Sequence, residues 1–465
     1  MNILITGAAS PEAQMAIAAL KDAHTIRAID TADGDLRNAA YAASVLDGID
    51  AILHFAPISL TLGTDEDNLD LAARSTYHLA YTAAQKGVSR MILGSTLKLF
   101  DALPANYKVA PSWRPHPQAQ IDHLCARMAE LTLRECVRDL SRQTQFHGIC
   151  VRFGEVDQAA MTEVIQRALA YQEDHWAIFH AGQRPMLHAP RPTPFAPRST
   201  SHVPRNIVIF GSGGPLASAT ARELAQNSGY VLRQTDVRPL ADILRDNKPQ
   251  STGAPMPVLL DAPHEERVVD VTDYAQVHAA CDGIDVIINC TVIRHDRDQT
   301  FRVNLIGAFN VMRAALAHGI RRVVHTGPFM LGQKSAPGYF WDDYLVDDVP
   351  PRPGDGMGNY LLTKLLGQEV CRIYAEQFQM EVPTLSFASF VNPDLPASGD
   401  LHGLSISWAD SARAMRCAVE VPTLPSPYEY IHVGTDLPNG VFPNAKAKRV
   451  LGWQPLDDLS QWWKE

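Results

Sequence analysis

The chain lacks the features that mark several large protein classes. Its seven cysteines, at 125, 136, 150, 281, 290, 371 and 417, form no CxxC pair and are odd in number. That excludes a disulfide scaffold and points to a reduced, cytosolic protein with buried thiols. No apolar run approaches the ~20 residues of a membrane-spanning helix. The start, MNILITGAAS, has no basic segment followed by a long apolar stretch, so no signal peptide is expected. Basic charge is short: 41 Lys+Arg against 51 Asp+Glu leave a net charge of −10, which excludes a nucleic-acid surface as the main role. A dinucleotide stays compatible, because backbone amides at a helix start can hold its phosphates. HExxH, HxxxH, GxSxG and phosphate-loop spacings are missing. Histidines 175, 180, 188 and 202 scatter through a loop-rich stretch, so no metal is expected.

What is present is a repeat. At 465 residues the chain exceeds one core. NILITGAASPEAQMAIAAL near the start recurs as NIVIFGSGGPLASATAREL from Asn206, LDGIDAILHFAPI as CDGIDVIINCTVI, and YTAAQKGVSRMIL as RAALAHGIRRVVH. Each copy reads strand, glycine loop, helix, strand, helix, strand. This predicts an α/β chain of two tandem Rossmann-like, doubly wound parallel-sheet domains. The proline-dense stretch 182–205 can neither continue a helix nor fill a central strand, and reads as an extended linker. The expected domains are 1–181 and 206–465.

In the second copy, Gly211, Gly213, Gly214 and Ala217 follow the strand NIVIF. The first glycine permits the tight turn, the second lets a pyrophosphate approach, and the small Ala217 lets helix pack on strand. Asp236 ends the next strand, where a carboxylate can accept from ribose hydroxyls and favours NAD. Arg238 could instead meet a 2′-phosphate, so NADP is the alternative. Asp270 and Val271, in VVDVTD, are candidates for the adenine side. Tyr360 and Lys364 lie four apart in YLLTK, one turn apart on one helix face. A lysine ammonium beside a phenol stabilises the phenolate and equips the tyrosine for proton transfer.

With these motifs in this order, residues 206–465 resemble an extended short-chain dehydrogenase/reductase of the NAD-dependent epimerase/dehydratase family. SWADSARAM and KAKRVLGWQP extend the resemblance, which also implies cofactor-binding roles for Asn289 in VIINC, Asn304 in FRVNLIGAFNV and Lys364. It implies a bound nicotinamide cofactor, a catalytic Tyr–Lys pair and substrates that are often nucleotide-linked sugars. Two departures stand out. Thr326-Gly327-Pro328 replaces the family's serine pair, leaving only Thr326 to orient the reacting oxygen, and Pro215 removes an amide from the phosphate site. The substrate lobe is short and lacks the family's arginine, since Ser386-Phe387 stand there, which suits a free sugar or sugar acid.

Residues 1–180 resemble the same family in degenerate form. ITGAASPEA keeps Gly7 alone of the three glycines, with Ser10 as a helix cap, Pro11 as first helical residue and Glu12 repelling phosphate. Asp30 and Asp35 stand at the family's acidic positions, and Ser95-Thr96 at its serine site. The interval before the next block is short enough for a strand to be missing. Where the tyrosine helix should fall the chain reads AQIDHLCARMAE. The expectation is a pseudo-enzyme domain whose helices near 72–86 and 119–138 meet those near 304–318 and 359–377 as an intrachain pseudo-dimer. Trp462 and Trp463 are expected to pack on the last strand, and Asp342, Asp343, Asp347 and Asp348 to form a solvated loop. The function expected is an NAD(P)-dependent oxidoreductase or epimerase acting on a sugar-like hydroxyl or carbonyl. The alternative is a catalytically silent protein that senses a nucleotide or scaffolds a partner.

Overall fold

Short runs of buried aliphatic residues make the strands. Ile3, Leu4, Ile5, Ile207, Val208 and Ile209 are inaccessible to solvent, as expected for parallel strands covered on both faces. The computed structural model describes residues 1–104, 106–141, 143–184, 205–248, 253–328, 358–394, 405–436 and 444–460. Two units separate, Met1–Pro192 and Thr193–Glu465. Gly182, Gln183 and Arg184 belong structurally to the first, where Gln183 pairs with Glu155. The rest of the proline-rich stretch except Arg205, the acidic run 342–348, His188, His202 and the terminal tryptophans lie outside the described residues.

The first unit holds six parallel strands: β1 (Asn2–Thr6), β2 (Thr25–Ile29), β3 (Ala51–His54), β4 (Arg90–Thr96), β5 (His147–Phe153) and β6 (Trp176–Ala181). Their order is β2-β1-β3-β4-β5-β6. The second unit holds β7 (Asn206–Phe210), β8 (Val231–Asp236), β9 (Glu265–Val268), β10 (Val286–Asn289), β11 (Arg322–Pro328), β12 (Val382–Phe387) and β15 (Tyr428–His432). Their order is β15-β12-β11-β10-β7-β8-β9, and a small separate sheet pairs β13 (Ser389–Val391) with β14 (Ser405–Ser407). Both large sheets are the doubly wound parallel architecture read from the sequence.

By strand order the two sheets correspond throughout, except that among the described residues the first has nothing opposite β9. The connection between β2 and β3 carries only the short helix Ala39–Ser44. That edge strand, EERV, is exposed and charged, a composition that discourages edge-to-edge pairing. Register makes the correspondence residue-specific. His54 pairs with Leu93 as Asn289 pairs with His325, and Ser95 pairs with Arg152 as Gly327 pairs with Ser386.

One device recurs at the sheet's base. A buried arginine opening β4, Arg90, donates to the carbonyl of Ala168 at 2.9 Å. Arg322, opening β11, donates to that of Val419 at 3.1 Å. Each places a cation on the C-terminal end of a helix, Gln158–Ala170 or Trp408–Glu420, where the unpaired carbonyls favour it.

Candidate active site

The glycine loop comes first. Gly211 has φ +83°, the left-handed region that glycine enters without strain. Gly213 donates its amide to Asp236 Oδ2 at 2.8 Å, and Asp236 Oδ1 accepts from the amide of Val237. A Cβ on Gly213 would lie 2.9 Å from that carboxylate and 2.6 Å from Ile243. Burial pushes the Asp236 carboxyl up against the opposing pull of these amides. Gly214 is the N-cap of the helix Pro215–Ala225 and offers no capping side chain. Pro215 brings no N–H, so the first-turn amides of Leu216 and Ala217 are those turned outward. Arg238 forms an ion pair with Asp246. Asp270 accepts from the amide of Thr272 at 2.8 Å, and the Val271 carbonyl accepts from Asn310.

The second component is the helix Gly358–Phe378, which runs beside β11. Lys364 is 3% exposed, and its Nζ lies 3.5 Å from the carbonyl of Thr291, with no carboxylate partner among the described residues. Burial pushes its pKa down to about 8. Arg294 adds to that shift, while the thiols of Cys371 and Cys290 oppose it. Tyr360, one turn earlier, is half-buried, and the Arg294 guanidinium carbon stands 5.5 Å from its ring centroid. Asn304, on a π-helical turn (Phe301–Ile306), joins these parts. Its oxygen accepts from the Ile293 amide at 3.1 Å, and its nitrogen donates to the Ile293 carbonyl at 2.9 Å and to Thr363 Oγ1 at 3.0 Å. Asn289 turns inward, its side-chain oxygen accepting from the amide and the hydroxyl of Thr291.

The strand end differs from the sequence expectation. Thr326 donates its hydroxyl to the carbonyl of Asn289 at 2.9 Å. Side chains alternate along a strand, and Val324 belongs to the core formed with Ala217, Ala221, Ala414 and Ala418. Thr326 shares that face, so the geometry does not bring it to the tyrosine helix. Position 327 faces that helix instead, and a Cβ there would collide with the side-chain nitrogen of Gln368. Gln368 is 1% exposed, and among the described residues neither its nitrogen nor its oxygen has a hydrogen-bond partner. It lies one turn beyond Lys364, so the same four-residue spacing that picked out Tyr360 and Lys364 reaches it. Arg294 carried no motif.

At the corresponding places the first unit is internally satisfied. Ala9 donates to Asp30 at 2.6 Å, as Gly213 does to Asp236. There, however, Ser10 caps the helix Pro11–Leu20 by accepting from Ala13, and Gln14 folds back onto the Ala8 carbonyl. Asp35 pairs with Arg37. Ser95 donates to Glu130 Oε1 at 2.7 Å, and Glu130 takes both Nε and Nη2 of Arg152, at 2.7 and 2.8 Å. Burial alone would raise the Glu130 carboxyl, but Arg152, Arg127 and Ser95 together hold it below the usual carboxylate range. Glu130 thus meets Ser95 as Gln368 meets Gly327. Counting back one and two turns puts Ala126 and Asp122 where Lys364 and Tyr360 stand.

Among known proteins, the chain is 26% identical over 186 residues to a uronate dehydrogenase of Pseudomonas putida, covering 39% of this chain and 60% of that protein. It is 24% identical over 223 residues to the L-arabinose 1-dehydrogenase (NAD(P)(+)) of Haloferax volcanii, covering 42% of this chain and 85% of that protein. The chain therefore spans less than two thirds of the length of the Pseudomonas relative. A crystal structure of a uronate dehydrogenase mutant from Agrobacterium tumefaciens complexed with NAD aligns with a TM-score of 0.43 and 24% identity, over 55% of this chain and 86% of that chain. Residues 207–434, which hold the glycine loop, Asn304 and the Tyr–Lys helix of the second unit, match the model of the NAD dependent epimerase/dehydratase family.

Proposed function

We propose that the second unit is an NAD-dependent oxidoreductase that acts on a hydroxyl or carbonyl of a sugar-like substrate, with Tyr360 as acid/base. The observation that carries this reading is Lys364: a buried amine without a carboxylate partner among the described residues, one turn from a half-buried phenol. Burying an unpaired ammonium is costly, and a purely structural helix has no use for one.

The glycine loop fits the cofactor. Space at Gly213 is limited by Asp236 itself, and the outward amides of Leu216 and Ala217 suit a pyrophosphate. Asp236 retains lone pairs for ribose hydroxyls, while Arg238 is engaged with Asp246, which favours NAD over NADP. NAD, when bound, supplies the hydride acceptor. The protein's part is proton handling. Tyr360 takes the proton of the substrate hydroxyl, and Lys364 stabilises the phenolate and reaches toward the nicotinamide ribose. Asn304 holds the strand-end loop and the helix in register.

In this reading the first unit is a degenerate copy of the second, and the chain works in the cytoplasm. The test follows absorbance of reduced cofactor with hexuronates and aldoses plus NAD or NADP. Turnover that Tyr360→Phe abolishes, while cofactor binding persists, supports the proposal. A wild-type chain that binds neither cofactor favours the silent scaffold.

A further inference from the structure

The two relatives act on differently charged sugars by name, a uronate and L-arabinose, and neither name tells which this chain prefers. The loop after β10 speaks to that choice. Arg294 is exposed at its end, with its guanidinium over the Tyr360 ring at 5.5 Å. Among the described residues it has no carboxylate partner, in a chain of net charge −10. Its backbone is fixed, because Asn304 accepts from and donates to the preceding residue, Ile293, and ties it to Thr363 on the tyrosine helix. The loop that carries Arg294 is thereby anchored to the tyrosine helix, with the guanidinium 5.5 Å from the Tyr360 ring centre.

We propose that Arg294 is the specificity-determining residue of this site, binding the carboxylate of a sugar acid whose reacting hydroxyl meets Tyr360. The inference rests on the oxidoreductase reading above and deepens it. The guanidinium carbon stands 5.5 Å from the centre of the Tyr360 ring, so it is a neighbour of any substrate whose hydroxyl meets the phenol. Arginine presents a planar fork that matches a carboxylate with two parallel hydrogen bonds, which lysine cannot reproduce. The π-face it now covers is a weak partner, readily exchanged for a full negative charge.

The experiment compares wild type, Arg294→Met and Arg294→Lys on glucuronate against glucose and on galacturonate against galactose, with NAD. Cofactor binding and thermal midpoint are measured in parallel. The expected result is a preference for the acid in wild type and a fall of about 100-fold in the acid-to-aldose ratio of kcat/KM in Arg294→Met. That is the scale of one hydrogen-bonded charge pair. The loss should fall mainly on KM, with partial rescue by lysine. Rising ionic strength should lower wild-type kcat/KM for the acids more than for the aldoses. An unchanged ratio, or equal losses on both sugars, overturns the proposal for Arg294 while leaving the oxidoreductase reading intact. A wild type that turns over none of the four sugars overturns both.

Discussion

At the start of its first long helix, the first unit caps itself with Ser10 and folds Gln14 back over the loop. The second unit has Gly214 and no capping side chain in the same place. At the strand end, the first unit closes Ser95, Glu130 and Arg152 into a buried network. The second has Gly327, Gln368 and Ser386, with both polar atoms of Gln368 unpartnered among the described residues. One turn up the helix stands Ala126 in one unit and a buried Lys364 in the other. The sheets are nearly the same, so the strands do not explain the contrast. What differs is whether polar groups find partners within the chain. A satisfied network stabilises a fold, whereas an unsatisfied one costs stability and is retained where a ligand completes it.

The sharpest way to break this comparison is Tyr360→Phe. Losing a positioned acid/base should cost about 10²–10⁴-fold in kcat, measured by cofactor reduction, and placing tyrosine and lysine at Asp122 and Ala126 should create no activity in return. Next is Glu130→Gln, which strands Arg152 inside the first unit. It should destabilise that unit by about 3–5 kcal/mol, read by urea unfolding, with no matching loss of cofactor binding.

Lys364→Met should do the reverse in the second unit. An ammonium whose pKa falls from 10.5 to about 8 on folding costs stability at neutral pH. Below pH 8 both states hold the proton and the full cost applies. Between 8 and 10.5 the unfolded chain alone holds it, so stability rises with pH by about 3 kcal/mol and the cost is gone above. The difference in unfolding free energy between Lys364→Met and wild type should shrink over that window, and a flat difference would count against an unpaired ammonium. The smallest expected effect is Gln368→Met, which replaces an unpartnered buried amide with an apolar chain of similar size. It should stabilise the protein by about 1–2 kcal/mol, seen as a higher thermal midpoint.

Much of this frame was legible in the sequence. The repeated strand–loop–helix runs predicted both parallel sheets, and the short interval after Asp30 predicted the missing edge strand. Tyr360 and Lys364 were picked out by their four-residue spacing together with their place downstream of the glycine loop, and both lie on the helix Gly358–Phe378. Thr326 bonds the Asn289 carbonyl at the strand end, and a strand's alternation, which decides the helix a residue meets, is not revealed by sequence position at that end. Asn304 spends its side-chain amide on Ile293 and Thr363, a tie between loop and helix that its motif does not announce. Arg294, Gln368 and the Glu130–Arg152 pair were missed because each depends on a strand or loop end meeting a helix far along the chain.

Calorimetric titration of the full chain with NAD tests the central contrast most directly. Completed polar groups in the first unit and open ones in the second predict one site per chain, lost in Gly213→Ala and kept in Asp30→Asn. Two sites per chain, or one that disappears with Asp30→Asn and survives Gly213→Ala, would contradict it.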